Sequence, residues 1–324
     1  MSNVVEAGNG GRLAHLPVSI FSIVMGLAGL AIAWQKAHLA LGAPAYVWQG
    51  IAGLASLLFL GLLIVYGTKA VRFPGAVAGE WKHPVRVNFF PTISICLLLL
   101  GIVWLSTAPT VSFGLWAAGT LIHLAFTFAI LSSWMHHTHY DIKHANPAWF
   151  IPVVGNLFVP ICGVLFAPPE LSWFFFSIGM VFWIVLMTIV FYRIFFHEPI
   201  PARLLPTLFI LLAPPAVGFI AYGSLVLQLD AFGRVLYYAA LFLTLLLGSN
   251  VLRFIRGGFF ISAWAYSFPL AAMTIASFVM AKRSGLDAFL WIAAALLIIV
   301  SLVVVVLITK TTSAVGRHAI CIPE

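Results

Sequence analysis

The stretch of this chain whose residues could do more than pack is Trp264-Ala-Tyr-Ser-Phe-Pro269, in the middle of the apolar run Phe260 to Met280. At about 1.5 Å per residue, that run is long enough to cross a bilayer. A proline inside a helix removes one backbone donor and clashes with the carbonyl four residues back, so a bend is expected near Tyr266. A bent helix opens carbonyls that lipid cannot satisfy, which favours a place inside a bundle or beside a water-filled cavity. Phe268 stands just before the bend, where a bulky ring can project into such a cavity. Taken alone, one of 28 phenylalanines is a packing or lipid-facing residue. The pattern in the rest of the chain singles Phe268 out.

Other residues with chemical capacity are few. His136, His137, His139, Asp141 and His144 crowd one polar stretch, and histidine-rich tracts can bind zinc or copper. No cysteine joins them and the spacing fits no established motif, so a solvated interfacial loop is the expected reading and no metal site is assigned. Asn156 can present an amide to an ion or bond a neighbouring helix. His123 is the one mid-span ionisable group, either a hydrogen-bonded packing residue or a relay. Cys96, Cys162 and Cys321 stand at unrelated spacings and give no disulfide framework. No nucleophile–base set, phosphate-binding glycine loop or cofactor fingerprint is present, so neither an enzyme nor a cofactor is expected.

These residues must be positioned by helices in lipid. Hydrophobic residues make up 63% of the 324, charged residues only 7%, and the mean hydropathy is +1.12. A soluble domain carries about a quarter charged residues, so this is a polytopic membrane protein. Met1 to Leu16 is Gly-rich and polar without an apolar core, so the first apolar run is expected to serve as the first span. Ten spans are read: Pro17–Trp34, Ala45–Tyr66, Val87–Ser106, Ser112–Trp134, Ala148–Phe166, Leu171–Tyr192, Leu205–Gln228, Ala231–Leu252, Phe260–Met280 and Ala288–Ile308. The expected organisation is a tail over 1–16, a ten-helix domain over 17–308 and a second tail over 309–324.

The formal charge of +8 is scattered over short loops, which points to membrane topology rather than to nucleic acid. The termini and even-numbered loops hold Arg12, Lys69, Arg72, Lys82, Arg86, Lys143, Arg193, Arg203, Arg253, Arg256, Lys310 and Arg317. The odd-numbered loops and adjoining helix ends hold Lys36, Arg234, Lys282 and Arg283. Twelve of the 16 Lys and Arg against four place both termini in the cytoplasm.

Proline divides the helices by parity. Pro17, Pro91, Pro152 with Pro160, Pro206 with Pro214 and Pro215, and Pro269 fall in odd spans, while the even spans contain none. Pro160, Pro214, Pro215 and Pro269 are interior and are expected to kink their helices. The reading is an all-α protein of five tandem helical hairpins, the odd helices forming an inner pore ring and the even ones an outer ring. Prolines scattered through a generic transporter would be the plainer account. The odd spans also share phenylalanines, and Phe21, Phe89, Phe90, Phe158, Phe209 and Phe219, with Tyr266, are the candidate lining of the lumen. All eight acids fall in loops, helix ends or tails. A lumen without fixed negative charge tolerates anions and suits cations poorly.

Several ordered motifs carry a resemblance. Phe21-x-x-x-Met25-Gly26-Leu27-Ala28-Gly29-Leu30, His83-Pro84-Val85 leading to Asn88-Phe89-Phe90-Pro91, Asn146-Pro147-Ala148-Trp149-Phe150-Ile151-Pro152-x-x-Gly155, Ala213-Pro214-Pro215 and Trp264 to Pro269 resemble the TehA family, over about Leu16 to Ile308. That family includes bacterial tellurite-resistance TehA proteins, the slow anion channels of plant guard cells, and fungal sulfite and malate transporters. The resemblance implies five hairpins with an inner ring of odd helices and a homotrimer with one pore per protomer. It also implies anion conduction gated by a phenylalanine of span nine, matched here by Phe268.

The resulting expectation is a passive anion channel in the bacterial cytoplasmic membrane. It would conduct inorganic anions such as chloride or nitrate, with the lipid bilayer as its surroundings and no nucleic-acid partner. The alternatives are a carrier for C4-dicarboxylate or sulfite, and a tellurite or drug exporter. A carrier needs a site of fixed polar groups near the midplane, and the absence of buried charge leans towards the channel.

Overall fold

The computed structural model describes residues 11–136, 140–256 and 258–317. Among these residues there are ten helical spans: Val18–Leu41, Ala45–Arg72, Arg86–Trp104, Pro109–His136, Pro147–Phe166, Pro169–Phe196, Ala202–Leu225, Ala231–Ser249, Ile261–Ser284 and Asp287–Gly316. There is no strand among the described residues. Each odd span packs on the even span that follows it, giving five hairpins. Span one also meets spans three and nine, three meets five, five meets seven, and seven meets nine, which closes a ring. Burial separates the two layers. In the most apolar stretch of each span, 72–83% of residues are buried in the odd spans and 22–33% in the even ones.

The prolines act differently from simple kinks. Every odd span contains a 3₁₀ stretch that gives way to α-helix: Val18–Phe21, Arg86–Phe89, Gly155–Phe158, Ala202–Leu212 and Ile261–Tyr266. Pro160, Pro214, Pro215 and Pro269 sit in the first turn of the α-helix that follows, Val159–Phe166, Ala213–Leu225 and Ser267–Ser284 respectively. The first amides of an α-helix have no partner within it, so a missing N–H costs little there. Proline thus marks where α-helix begins within an inner span. The even spans are unbroken helices, three of them 28 residues long.

The spans also run past their expected ends. Span one continues beyond Trp34 to Leu41, where Gly42 takes the left-handed conformation (φ 69°) that ends it. Span ten continues beyond Ile308 to Gly316. A short helix not anticipated from sequence, Pro74–Lys82, follows span two. The five hairpin tips lie together at one end of the bundle, and residues 11 and 317 lie at the other; we call these the tip end and the terminal end.

Candidate pore

Phe268 is the second residue of the α-helix Ser267–Ser284, one position past the switch from 3₁₀ structure. The motif before it is anchored at both ends. Trp264 is buried, and its indole N–H donates to Thr311 Oγ1 of span ten at 2.9 Å. Ser267 Oγ donates to the Trp264 carbonyl at 2.6 Å. Span one backs the motif closely: a Cβ on Gly26 would fall 2.1 Å from Ser267 Oγ, and one on Gly29 would fall 3.0 Å from the Phe268 ring. Glycine is required at Gly26 because any side chain there would displace Ser267.

Opposite Phe268 stands Phe158, the last residue of the 3₁₀ stretch in span five. The two rings meet edge to face, centroids 5.4 Å apart and planes at 64°. Two cavities end on this pair. One, of about 1240 Å³, opens at the tip end, and the other, of about 60 Å³, lies on the terminal side. Phe158, Val217 and Phe268 line both and form the partition between them. The small cavity is also lined by Phe89, Pro214 and Pro269, and by no charged side chain among the described residues. An ion there would have neither water nor a countercharge, a costly position.

The remaining aromatic candidates lie off these cavities. Phe21 packs on Phe59 and Tyr66, Phe90 on Trp81, Phe219 on Tyr237, and Phe209 on Phe254 and Tyr266. Tyr266 therefore faces span seven rather than the partition. Asn156 donates to Thr127 Oγ1 of span four at 3.1 Å and to the Val153 carbonyl at 2.9 Å, bonding a neighbouring helix. His123 lies 2.9 Å from Ser94 Oγ and fills the space that a Cβ on Gly155 would occupy. It packs spans three, four and five together. In the histidine-rich stretch, His137 and His139 lie outside the described residues; Asp141 and His144 cap a short 3₁₀ turn.

What sequence reasoning missed is the lining of the large cavity. Lys36, Arg234, Lys282 and Arg283, counted as the minority in the charge asymmetry, all line it, and no acidic residue among the described residues does. The signal was available in the parity pattern. Lys36 and Lys282 stand in the closing turns of inner spans, and the end of an inner span is the mouth of whatever the ring encloses.

Ten apolar helices among the described residues, five of them packed in an inner ring, define an all-α polytopic membrane protein. The chain belongs to the SLAC1 family, described as voltage-dependent anion channels, whose profile matches residues 15–312. It is 30% identical to the S-type anion channel SLAH3 of Arabidopsis thaliana over 274 residues, 82% of this chain and 43% of that protein. The guard cell S-type anion channel SLAC1 of the same plant is 27% identical over 83% of this chain and 50% of its own length. The tellurite resistance protein TehA homolog of Haemophilus influenzae is 28% identical over 84% of this chain and 83% of its own length. The chain thus spans about half the length of these plant relatives and most of the bacterial one.

Proposed function

We propose that this protein is a passive anion channel with one pore through the inner ring of each protomer, held shut at rest by Phe268. The observation that carries the proposal is the aromatic partition: Phe158, Val217 and Phe268 stand between two cavities, on an axis that has cations at one end and no acid in either lining. Its relatives' names, anion channels among them, support the same reading. The proposal extends to a homotrimer in the bacterial cytoplasmic membrane with both termini in the cytoplasm. Its organisation is a ten-helix channel domain between tails 1–16 and 309–324, without enzymatic activity.

The energetics suit a gate that is closed but openable. Turning the Phe268 ring through a strained rotamer costs about 0.5–1.5 kcal/mol. Breaking the edge-to-face contact with Phe158 costs about as much again. A combined cost of about 1–3 kcal/mol favours closure by about 5- to 150-fold. Once the ring moves, an anion must shed water into a lumen with no fixed cation at its narrowest part, so permeation follows ease of dehydration.

Reconstitution of the purified protein and measurement of reversal potentials in mixed anions tests the function. Currents that reverse at anion equilibrium potentials, with nitrate and chloride passing more readily than sulfate, are expected. Saturable flux coupled to a proton or sodium gradient would instead establish a carrier.

A further inference from the structure

The four cations of the tip cavity differ in what they touch. The Arg283 guanidinium is committed, donating to the carbonyls of Val226, at 2.9 Å, and Gly223 at the end of span seven. It serves as the cap of a helix terminus. Lys36, Lys282 and Arg234 have no such employment. Among the described residues none of the three makes a hydrogen bond or has a carboxylate within ion-pair distance. Lys282 and Arg234 are exposed at the rim, whereas Lys36 is half-buried. A half-buried ammonium without a partner is costly unless it meets water or an anion. Lys36 and Lys282 also repel one another across the cavity, a cost that a shared anion would reverse.

The register of spans one and nine sets their depth. Gly29 lies beside Phe268, so Lys36, seven residues further along the helix, stands about 10 Å beyond the partition. Lys282, fourteen residues past Phe268, stands about 20 Å beyond it. Both side chains lean back towards the partition, because helical side chains tilt towards the N-terminus. An anion coming from the tip end therefore meets exposed charge first and half-buried charge second.

We propose that the tip cavity is an anion-binding site, centred on Lys36 and completed by Lys282, that holds a doubly charged oxyanion more tightly than a singly charged anion. Two ammonium groups with no carboxylate between them match a sulfate-like charge, while the uncharged partition beyond offers such an ion nothing in exchange for its water. A doubly charged oxyanion thus binds and stays, whereas a singly charged one binds weakly and proceeds. The blocking consequence rests on the anion-channel reading; the binding itself does not.

Calorimetric titration of the full-length purified protein with sodium sulfate, at fixed ionic strength, tests the site without requiring conduction. Sulfate should bind the wild type and should bind Lys36→Gln about tenfold more weakly, with a smaller loss in Lys282→Gln. Lys310→Gln, an exposed lysine at the other end of the molecule, should bind like the wild type. Absence of sulfate binding to the wild type, or equal binding by wild type and Lys36→Gln, overturns the proposal. If Lys36→Gln does not assemble, Lys282→Gln alone decides, since its rim position is tolerant of change; undiminished sulfate binding there overturns the proposal too. In liposomes carrying Phe268→Ala, sulfate on the tip side should inhibit chloride flux, and Lys36→Gln should relieve that inhibition. Sulfate binding without anion flux in any variant would remove the channel reading and leave the site; anion flux with no sulfate binding in the titration would remove the site and leave the channel.

Discussion

The two ends of the molecule each carry lysines on helix ends, and they use them in opposite ways. At the terminal end Lys69 is 1% exposed and fully employed. Its ammonium donates to Glu80 Oε2 at 2.6 Å and to the Leu16 carbonyl at 2.7 Å, and lies over the Tyr66 ring. Glu80 in turn accepts from Tyr66 at 2.8 Å and from the Val18 amide at 2.9 Å. One buried ion pair thereby ties together span two, the helix Pro74–Lys82 and the start of span one. At the tip end Lys36 has no hydrogen-bond or carboxylate partner among the described residues and lines a cavity. The contrast separates two roles that composition cannot distinguish: a cation answered by the protein's own carboxylate fixes structure, and one left unanswered is available to a mobile anion.

Four substitutions break or sharpen this contrast, beginning with the barrier between the two ends. Phe268→Ala removes the ring of the proposed gate while leaving Pro269 and the start of its helix in place. Anion conductance should rise by up to about a hundredfold in planar bilayers, less in Phe268→Leu and not at all in Tyr266→Ala. No rise in a folded Phe268→Ala protein would dismiss the gate, and a rise in Tyr266→Ala would move it two residues back. Glu80→Ala strands a buried ammonium and should cost about 3–5 kcal/mol of stability, read as a large fall in melting temperature in detergent. Lys36→Ala should leave that temperature nearly unchanged, and equal losses at both ends would erase the distinction.

The third and fourth are smaller. Gly29→Ala places a methyl group 3.0 Å from the Phe268 ring and 3.1 Å from Ala271 Cβ. Overpacking of that kind costs about 1–3 kcal/mol, and here part of it should appear as a leak, raising resting conductance on the order of tenfold. A destabilised but silent protein would mean the backbone yields before the ring does. Phe158→Ala leaves Phe268 without its edge contact, worth about 0.5–1.5 kcal/mol, and should raise conductance about two- to tenfold. A change as large as that of Phe268→Ala would make Phe158 an equal partner in the gate.

The sequence carried the architecture well, because lipid imposes strong rules. Ten apolar runs, a skewed distribution of Lys and Arg, and prolines confined to alternate spans all follow from the requirement that backbone polar groups be satisfied inside the bilayer. Which side chains face the axis was far less legible. Of the candidate lining, Phe89 and Phe158 reach the cavities with Phe268, while Phe21, Phe90, Phe209, Phe219 and Tyr266 pack elsewhere. Their spans mix 3₁₀ and α structure, so the face a residue presents shifts along the helix by an amount the sequence does not announce. Lys36 was missed because Gln35, Lys36 and His38 end the apolar run while the helix itself continues to Leu41. The pairing of Lys69 with Glu80 spans eleven residues and a change of helix, beyond the reach of any spacing rule within one helix.

The mixed geometry of the inner spans also answers a problem of length. Span two and span ten spend 28 and 30 residues on their crossings, whereas span three has 19 and span seven 24. A 3₁₀ stretch advances about 2.0 Å per residue against about 1.5 Å for α-helix, so the eleven residues Ala202–Leu212 gain about 5 Å over the α form. Along its 3₁₀ stretch an inner span is thus drawn out, covering more length with each residue than an α-helix does. Winding any of these stretches into α-helix would shorten that strand of the ring and turn everything beyond it by about 20° for each residue converted, since the two helices advance about 120° and about 100° per residue. In span nine the element that would turn is Phe268.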